Sequence, residues 1–421
     1  MALPCSTSEH CLRLRYACLH VQFFSIEQGH GLPGMSAHPL LARILRHDLC
    51  KEESIRIQHL TSEAVMAETM QAAVWHGKKD IRVETVPVPP APAPGWVQIK
   101  VDWCGICGSD LHEYLAGPIF IPTEAPHPLT GKQGSVILGH EFSGKVVAVG
   151  SGVTNVKVGD MVAPDACQHC GECQPCREGR YNVCEKLAFT GLHNDGAFAP
   201  YVNVPAELCF IMPDGVSPEA GAVMEPLATG FKAVRMAGSI LGLNVVVLGA
   251  GTIGLGTIMA AKAAGAGKII VLEMSRARIA KAMECGADIV VNPKECDPVA
   301  KVKELTGGSG ADVSFECIGN KHTGPLAIDV LRNTGTAIIV GIFEEPSSFN
   351  FFSLSGTDKK VMGTLAYTIE DFKGLAALMA KGVIKAENLI TGKIELKDIM
   401  EKGFLELINN KDENIKILVR P

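Results

Sequence analysis

The chain has 421 residues, 20% of them charged and 47% hydrophobic, which is more than a single small domain holds. Acidic residues outnumber basic ones by 45 to 39, for a net charge of -6; this argues against a nucleic-acid partner, whose binding needs clustered Lys and Arg. With 44 Gly, 24 Pro and apolar residues in short β-branched runs, the composition is that of a folded α/β enzyme and not of a disordered or fibrous chain.

In chain order, residues 1–69 come first and differ from the rest. They hold six of the 13 His and four of the 15 Cys and show little periodicity, so the expectation is a disordered extension or leader. Arg13, Arg15, Arg43 and Arg46 against Glu9 and Glu27 give it a weak transit-peptide character. The start lacks a charged stretch followed by a clean apolar core and a cleavage site, so no secretory signal is expected. The expected location is the cytoplasm, or the mitochondrion if the extension is a transit peptide. Cys5, Cys11 and Cys18 lack paired spacing and are assigned no metal.

The register changes at Met70, where a strand-turn-strand pattern opens a domain. A Pro/Ala run over 87–94 precludes helix, and the alternating apolar stretches 96–101 and 136–149 mark β-rich territory. From residue 244 strands and helices alternate: strands at 244–248, 268–273, 288–291, 312–317, 336–341 and 360–365, with helices reaching to 264, to 285 and over 299–305. That succession predicts a doubly wound parallel sheet, the Rossmann arrangement. The uncharged run 240–261 reads as a strand, a glycine turn and a buried helix, not as a membrane span. After Tyr367 an amphipathic helix and a short closing segment return to the first domain. The expected division is therefore an extension at 1–69, a β-rich catalytic domain at 70–225 with 366–421, and a Rossmann domain at 226–365.

Gly249-Ala250-Gly251-Thr252-Ile253-Gly254 follows a strand and opens a helix, the context that makes a glycine pattern specific for a dinucleotide. Gly249 permits the tight turn, Gly251 lets the main chain approach a pyrophosphate, and Gly254 lets helix and sheet pack closely. Glu273, at the end of the second strand, is placed to accept hydrogen bonds from ribose hydroxyls and to repel a 2'-phosphate, which favours NAD over NADP. Arg276 and Arg278 lie close by and temper that preference; Arg278 is itself a candidate cofactor residue.

Fifteen cysteines without a secretion signal point to metal thiolates and buried thiols, not to a disulfide framework. Cys170-x2-Cys173-x2-Cys176-x7-Cys184 supplies four thiolates, enough for tetrahedral zinc with no open position, hence a structural zinc. A nucleic-acid zinc ribbon would bring two separated knuckles and a basic face, which this chain lacks. Cys107, His140 and Glu225 form a dispersed set of one thiolate, one imidazole and one carboxylate, which would hold a second zinc and leave a place for water or an alcohol oxygen.

The stretch Gly139-His140-Glu141-x2-Gly144-x5-Gly150-x2-Val153, then Val158-Gly159-Asp160, resembles the zinc signature of the zinc-containing medium-chain dehydrogenase family, and the four-cysteine lobe and the glycine motif follow in that family's order. The resemblance covers residues 70–421. The run from Cys107 to His112, continuing Glu113-Tyr114-Leu115-x-Gly117-Pro118-Ile119-Phe120, and the later His127-Pro128-Leu129-Thr130-Gly131 are more similar to its butanediol-oxidising branch than to its sorbitol branch. Polyol enzymes usually carry Tyr where this chain has Glu113.

The resemblance implies a GroES-like catalytic domain beside a Rossmann domain, an active site between them, and a homodimer or homotetramer. It implies one catalytic and one structural zinc, and NAD. Cys107 and His140 become catalytic zinc ligands by resemblance, with either Glu225 or Glu141 as the third and Glu225 favoured. Ser109 would receive the proton of the substrate hydroxyl, His112 would carry it onward because an imidazole titrates near neutrality, and Asp110 would orient His140. The implied reaction is hydride transfer from a small secondary alcohol or vicinal diol, (R,R)-2,3-butanediol to acetoin, with no membrane partner. A polyol or L-threonine dehydrogenase on the same scaffold is the alternative. A non-catalytic NAD-binding protein or a zinc-free quinone reductase-like protein would lack the metal donors.

Overall fold

The expected alternation after residue 244 corresponds to a six-stranded, wholly parallel sheet in the computed structural model, which describes residues 68–421. Across the sheet the strands run Ile289–Val291, Lys268–Leu272, Asn244–Leu248, Ala311–Glu316, Leu331–Ile339 and Lys360–Gly363. The order reverses beside Asn244–Leu248, so the chain leaves that strand at the crevice where open α/β sheets bind ligands. Asn244–Leu248 and Lys268–Leu272 are apolar runs buried on both faces, as parallel strands covered by helices must be. The expectations for residues 1–67 fall outside the described residues.

Two elements depart from the sequence reading. The fifth strand begins at Leu331, earlier than expected, and reaches the 336–339 pairing through a register shift at Ala311/Val313. A short helix, Thr323–Asp329, precedes it; Gly324 and Pro325 in its first turn hide it from propensity. The expected domain boundary at 225/226 lies inside the helix Met224–Met236, so Glu225 sits in that helix's first turn. Ile369–Ala380 packs against this helix, and its Phe372 and Leu375 lie within the same core as the parallel sheet.

The β-rich part consists of antiparallel pairings around Trp96–Gly105. This strand pairs with Glu141–Val149, with Tyr201–Pro205 and with Lys416–Arg420, and the sheet continues to Met161–Pro164, Cys209–Ile211 and Ile390–Glu395. A smaller sheet joins Asp80–Pro87, Thr69–Gly77 and Val136–Ile137. The apolar stretch 136–149 is thus divided between two sheets. Gly139 makes the break: its φ is +99°, and a Cβ there would lie 2.8 Å from Cys104 Sγ and from the Phe198 amide nitrogen.

Candidate active site

The antiparallel register brings the dispersed donors together. Gly105 pairs with Glu141, and Cys104 with Phe142; two residues beyond Gly105, Cys107 is the N-cap of the helix Gly108–Ala116. A Cβ on Gly105 would lie 2.3 Å from Glu141 Oε2 and so would displace that carboxylate. The donor atoms of Cys107, His140 and Glu141 all lie within 4.8 Å of one another. Ser109 Oγ stands 3.2 Å from His140 Nε2, which places a hydroxyl at the edge of the donor group. The opposite ring nitrogen, Nδ1, faces Asp110 Oδ1 at 3.7 Å, and both atoms are buried with no hydrogen-bond partner. Asp110 Oδ2 accepts the Cys107 N–H at 2.9 Å, so one carboxylate addresses both residues. Burial pushes the Asp110 carboxyl up to about 6, against the opposing pull of His140 and the Cys107 amide.

The geometry places the two glutamates differently. Glu141 stands in the donor group, and Glu225 does not. Glu141 follows His140 directly in the chain and is carried into place by the strand register, whereas the Glu225 carboxylate is engaged elsewhere: Tyr367 donates its hydroxyl to Glu225 Oε1 at 2.5 Å. Burial pushes Glu225 up to about 7, partly offset by His140. Glu141, wholly buried, receives Lys416 Nζ at 2.7 and 2.6 Å on its two oxygens, and the same ammonium donates to the Ile106 carbonyl at 2.7 Å. Lys416, Tyr367 and Ile106 were not singled out by sequence reasoning. A lysine entering an otherwise apolar closing strand, Lys416-Ile417-Leu418-Val419, was the available signal for the first.

The four-cysteine lobe gathers its thiols as its spacing anticipates. The Sγ–Sγ separations are 3.3 Å for Cys173–Cys176, 3.5 Å for Cys184–Cys170, 3.8 Å for Cys173–Cys184 and 4.0 Å for Cys170–Cys176. A tetrahedron with zinc–sulfur bonds of about 2.3 Å has edges of about 3.8 Å. Backbone N–H groups of Cys170 and Lys186 point at Cys184 Sγ, each at 3.3 Å, and that of Cys173 at Cys170 Sγ, at 3.4 Å, donors that suit thiolates. The donor set fits structural zinc. Tyr181, inside the lobe, donates to Asp165 Oδ2 at 2.6 Å and accepts the Ile369 N–H, which ties the lobe to the start of the helix Ile369–Ala380.

On the coenzyme side, Gly249 has φ +92°, a turn that other residues rarely adopt. A Cβ on Gly254 would strike the Gly249 carbonyl oxygen at 2.0 Å, whereas one on Gly251 would meet nothing within 4 Å. Gly251 is the N-cap of the helix Thr252–Ala263, so its open side and the helix N-terminus offer room and positive potential for a pyrophosphate. Glu273 Oε2 accepts the Ala250 N–H at 2.8 Å, and Oε1 accepts those of Met274 at 2.7 Å and Ser275 at 3.0 Å. Arg278 Nη2 donates to the Lys411 carbonyl at 2.7 Å, and its Nε is buried without a partner. A cavity of about 490 Å³ is lined from one side by Gly108, His112 and Lys416 and from the other by Gly251, Thr252 and Arg278.

Glu113, the residue expected to differ from polyol enzymes, is wholly buried and braces the turn after its own helix. Its carboxylate accepts the N–H groups of Ile119 at 3.1 Å, Ile121 at 3.2 Å and Phe120.

Residues 93–214 match the alcohol dehydrogenase GroES-like domain, and residues 252–381 match the zinc-binding dehydrogenase domain. The (R,R)-butanediol dehydrogenase of Bacillus subtilis (strain 168) is 45% identical over 355 residues, which cover 84% of this chain and 100% of that protein. The chain belongs to the zinc-binding alcohol dehydrogenase family. The crystal structure of 2R,3R-butanediol dehydrogenase from Bacillus subtilis is similar to this zinc-binding dehydrogenase with a TM-score of 0.78 at 45% identity, covering 84% of this chain and 99% of that one. The sorbitol dehydrogenase of Bacillus subtilis (strain 168) is 35% identical over 360 residues, covering 84% of this chain and 98% of that protein. As a zinc-binding alcohol dehydrogenase, the protein is a zinc-dependent oxidoreductase. Among the described residues no helix is long and apolar enough to cross a membrane.

Proposed function

We propose that this dehydrogenase oxidises a small vicinal diol, (R,R)-2,3-butanediol to acetoin, with NAD as the hydride acceptor. The observation that carries the reading is the single cavity into which both the helix after Cys107 and the glycine turn open. Cys107, His140 and Glu141 would hold the catalytic zinc, and Cys170, Cys173, Cys176 and Cys184 the structural one. When bound, zinc supplies the positive charge that eases loss of the hydroxyl proton, and NAD supplies the hydride acceptor. Ser109 Oγ, beside the donor group, takes that proton. His112 lines the shared cavity, and its Nε2 stands 3.5 Å from Glu344 Oε1 with the imidazole 36% exposed, so it leads the proton outward. Asp110 fixes the Cys107 amide and faces His140 Nδ1 with its charge, which favours the orientation of that ring. A non-catalytic or quinone reductase-like protein has no need of such a donor set.

NAD is favoured over NADP because Glu273 presents a nearly buried carboxylate, 9% exposed, at the end of the second parallel strand. A 2'-phosphate there would meet like charge, which costs several kcal/mol. The curated sorbitol relative keeps a polyol as the second reading, and L-threonine is a third candidate. The test is NADH formation on (R,R)-2,3-butanediol, sorbitol and L-threonine side by side, before and after chelation, with NADP substituted for NAD in parallel. The expected result is a butanediol rate at least roughly tenfold above the others, abolished by chelation, and a preference for NAD of roughly a hundredfold. Turnover on sorbitol alone would move the enzyme to the polyol branch, and faster turnover with NADP would remove Glu273 from its role.

A homodimer or homotetramer is supported by the edge strand Lys360–Gly363, which pairs on one side with Leu331–Ile339. Its Val361 and Met362 are exposed, as is nearby Leu365, and an open apolar edge of this kind invites a second copy. Sedimentation at micromolar concentration is expected to give at least a dimer, and a monomer would count against that reading.

A further inference from the structure

Three protein donors leave a zinc site open to substrate, and four close it. Here Cys107, His140 and Glu141 gather their donor atoms, and Glu225 stands outside that group yet near enough for its charge to act on His140, so an open site requires that this second carboxylate be kept away. We propose that Tyr367 is a positioning residue that holds Glu225 off the metal and thereby keeps the fourth coordination place for the substrate. The proposal rests on reading Cys107, His140 and Glu141 as the catalytic zinc ligands.

The hydrogen bonding at Tyr367 has one direction. Its hydroxyl lies 2.5 Å from Glu225 Oε1, and the Ala166 N–H approaches the same oxygen at 3.5 Å. An N–H can only donate, and an ionised carboxylate, the form a neighbouring zinc favours, only accepts, so beside the metal the phenol's single proton goes to Glu225. The ring cannot follow a moving carboxylate: it is fully buried and packs on Phe372 with centroids 5.1 Å apart. Glu225 has no ion-pair partner among the described residues, whereas Glu141 has Lys416. The phenol is therefore the restraint on a nearly buried anion, 8% exposed, that a neighbouring dication would otherwise draw in. Glu225 accordingly lies outside the group of donors within 4.8 Å.

The test uses the zinc-loaded full-length enzyme and the variant Tyr367→Phe, which keeps the ring. The expected result is roughly tenfold slower removal of the catalytic zinc by a chelator and a KM for (R,R)-2,3-butanediol raised roughly tenfold, the scale of a hydrogen bond to a charged group. The cobalt-substituted variant should show a changed visible spectrum, as a fourth protein ligand enters. In Tyr367→Phe/Glu225→Gln the zinc release should return to that of Glu225→Gln alone. Unchanged or faster zinc release in a Tyr367→Phe protein with the wild-type denaturation midpoint would overturn the proposal. Glu225→Gln supplies an independent check: it should release zinc as the wild type does, and a roughly tenfold faster loss would make Glu225 a resident ligand and sink the idea. Failure of the underlying site is read separately, as a His140→Ala protein that still holds two zinc ions per chain.

Discussion

His140→Ala is expected to lower kcat/KM by roughly a thousandfold or more, on the scale of several kcal/mol that a metal ion contributes to charge stabilisation. With the proposed two zinc sites, zinc content should fall at the same time by one ion per chain. His140 is 3% exposed, its Nε2 meets Ser109 Oγ, and its Nδ1 faces Asp110; its loss removes a donor and the group that Ser109 leans on. The four-cysteine lobe shares no residue with this site and should keep its ion. Metal analysis together with NADH formation checks both halves. Loss of activity with two zinc ions retained would mean that His140 serves catalysis without holding metal.

Lys416→Met is expected to destabilise the protein by about 3–5 kcal/mol, the penalty for removing one partner of a buried ion pair. Lys416 is 2% exposed and Glu141 fully buried, so methionine fills much of the volume but leaves the carboxylate without its ammonium. The Ile106 carbonyl loses its donor as well. Adding Glu141→Gln should recover part of the loss, because an amide needs no counter-charge. Denaturant midpoints of the two variants, measured with and without chelator, check this; the deficit should be larger without metal, when Glu141 has no other cation to face. A Lys416→Met protein as stable as the wild type in both conditions would show that water reaches Glu141.

What the sequence made legible was local. The glycine turn, the helix after it and the four-cysteine run each sit within a short stretch, and their chemistry depends on spacing that can be counted. Cys107 and His140 were found by the motifs around them. The partners that complete the site are remote: Lys416 lies 275 residues from Glu141, and Tyr367 lies 142 residues from Glu225. No spacing rule joins such pairs, because only strand register and packing bring them into contact. Choosing between Glu225 and Glu141 draws on the same kind of information, since nothing near Glu225 in the chain announces that a tyrosine far downstream is bonded to it. Gly139 likewise reads as part of a zinc signature, while its other task, turning one apolar run into two sheets, emerges only from Cys104 and Phe198 crowding its α-carbon.

The separation of Lys416 from Glu141 also sets a timetable for biosynthesis. At about 5–20 residues per second, the 275 residues between them take on the order of 15 to 55 s to translate. Throughout that interval the nascent β-rich domain carries Glu141 without its ammonium, and the closing strand Lys416–Arg420 that pairs beside Trp96–Gly105 has not yet emerged. The parallel sheet, whose strands lie wholly between those two residues, is synthesised in the meantime, so the coenzyme half can fold before the catalytic half has the charge that completes it.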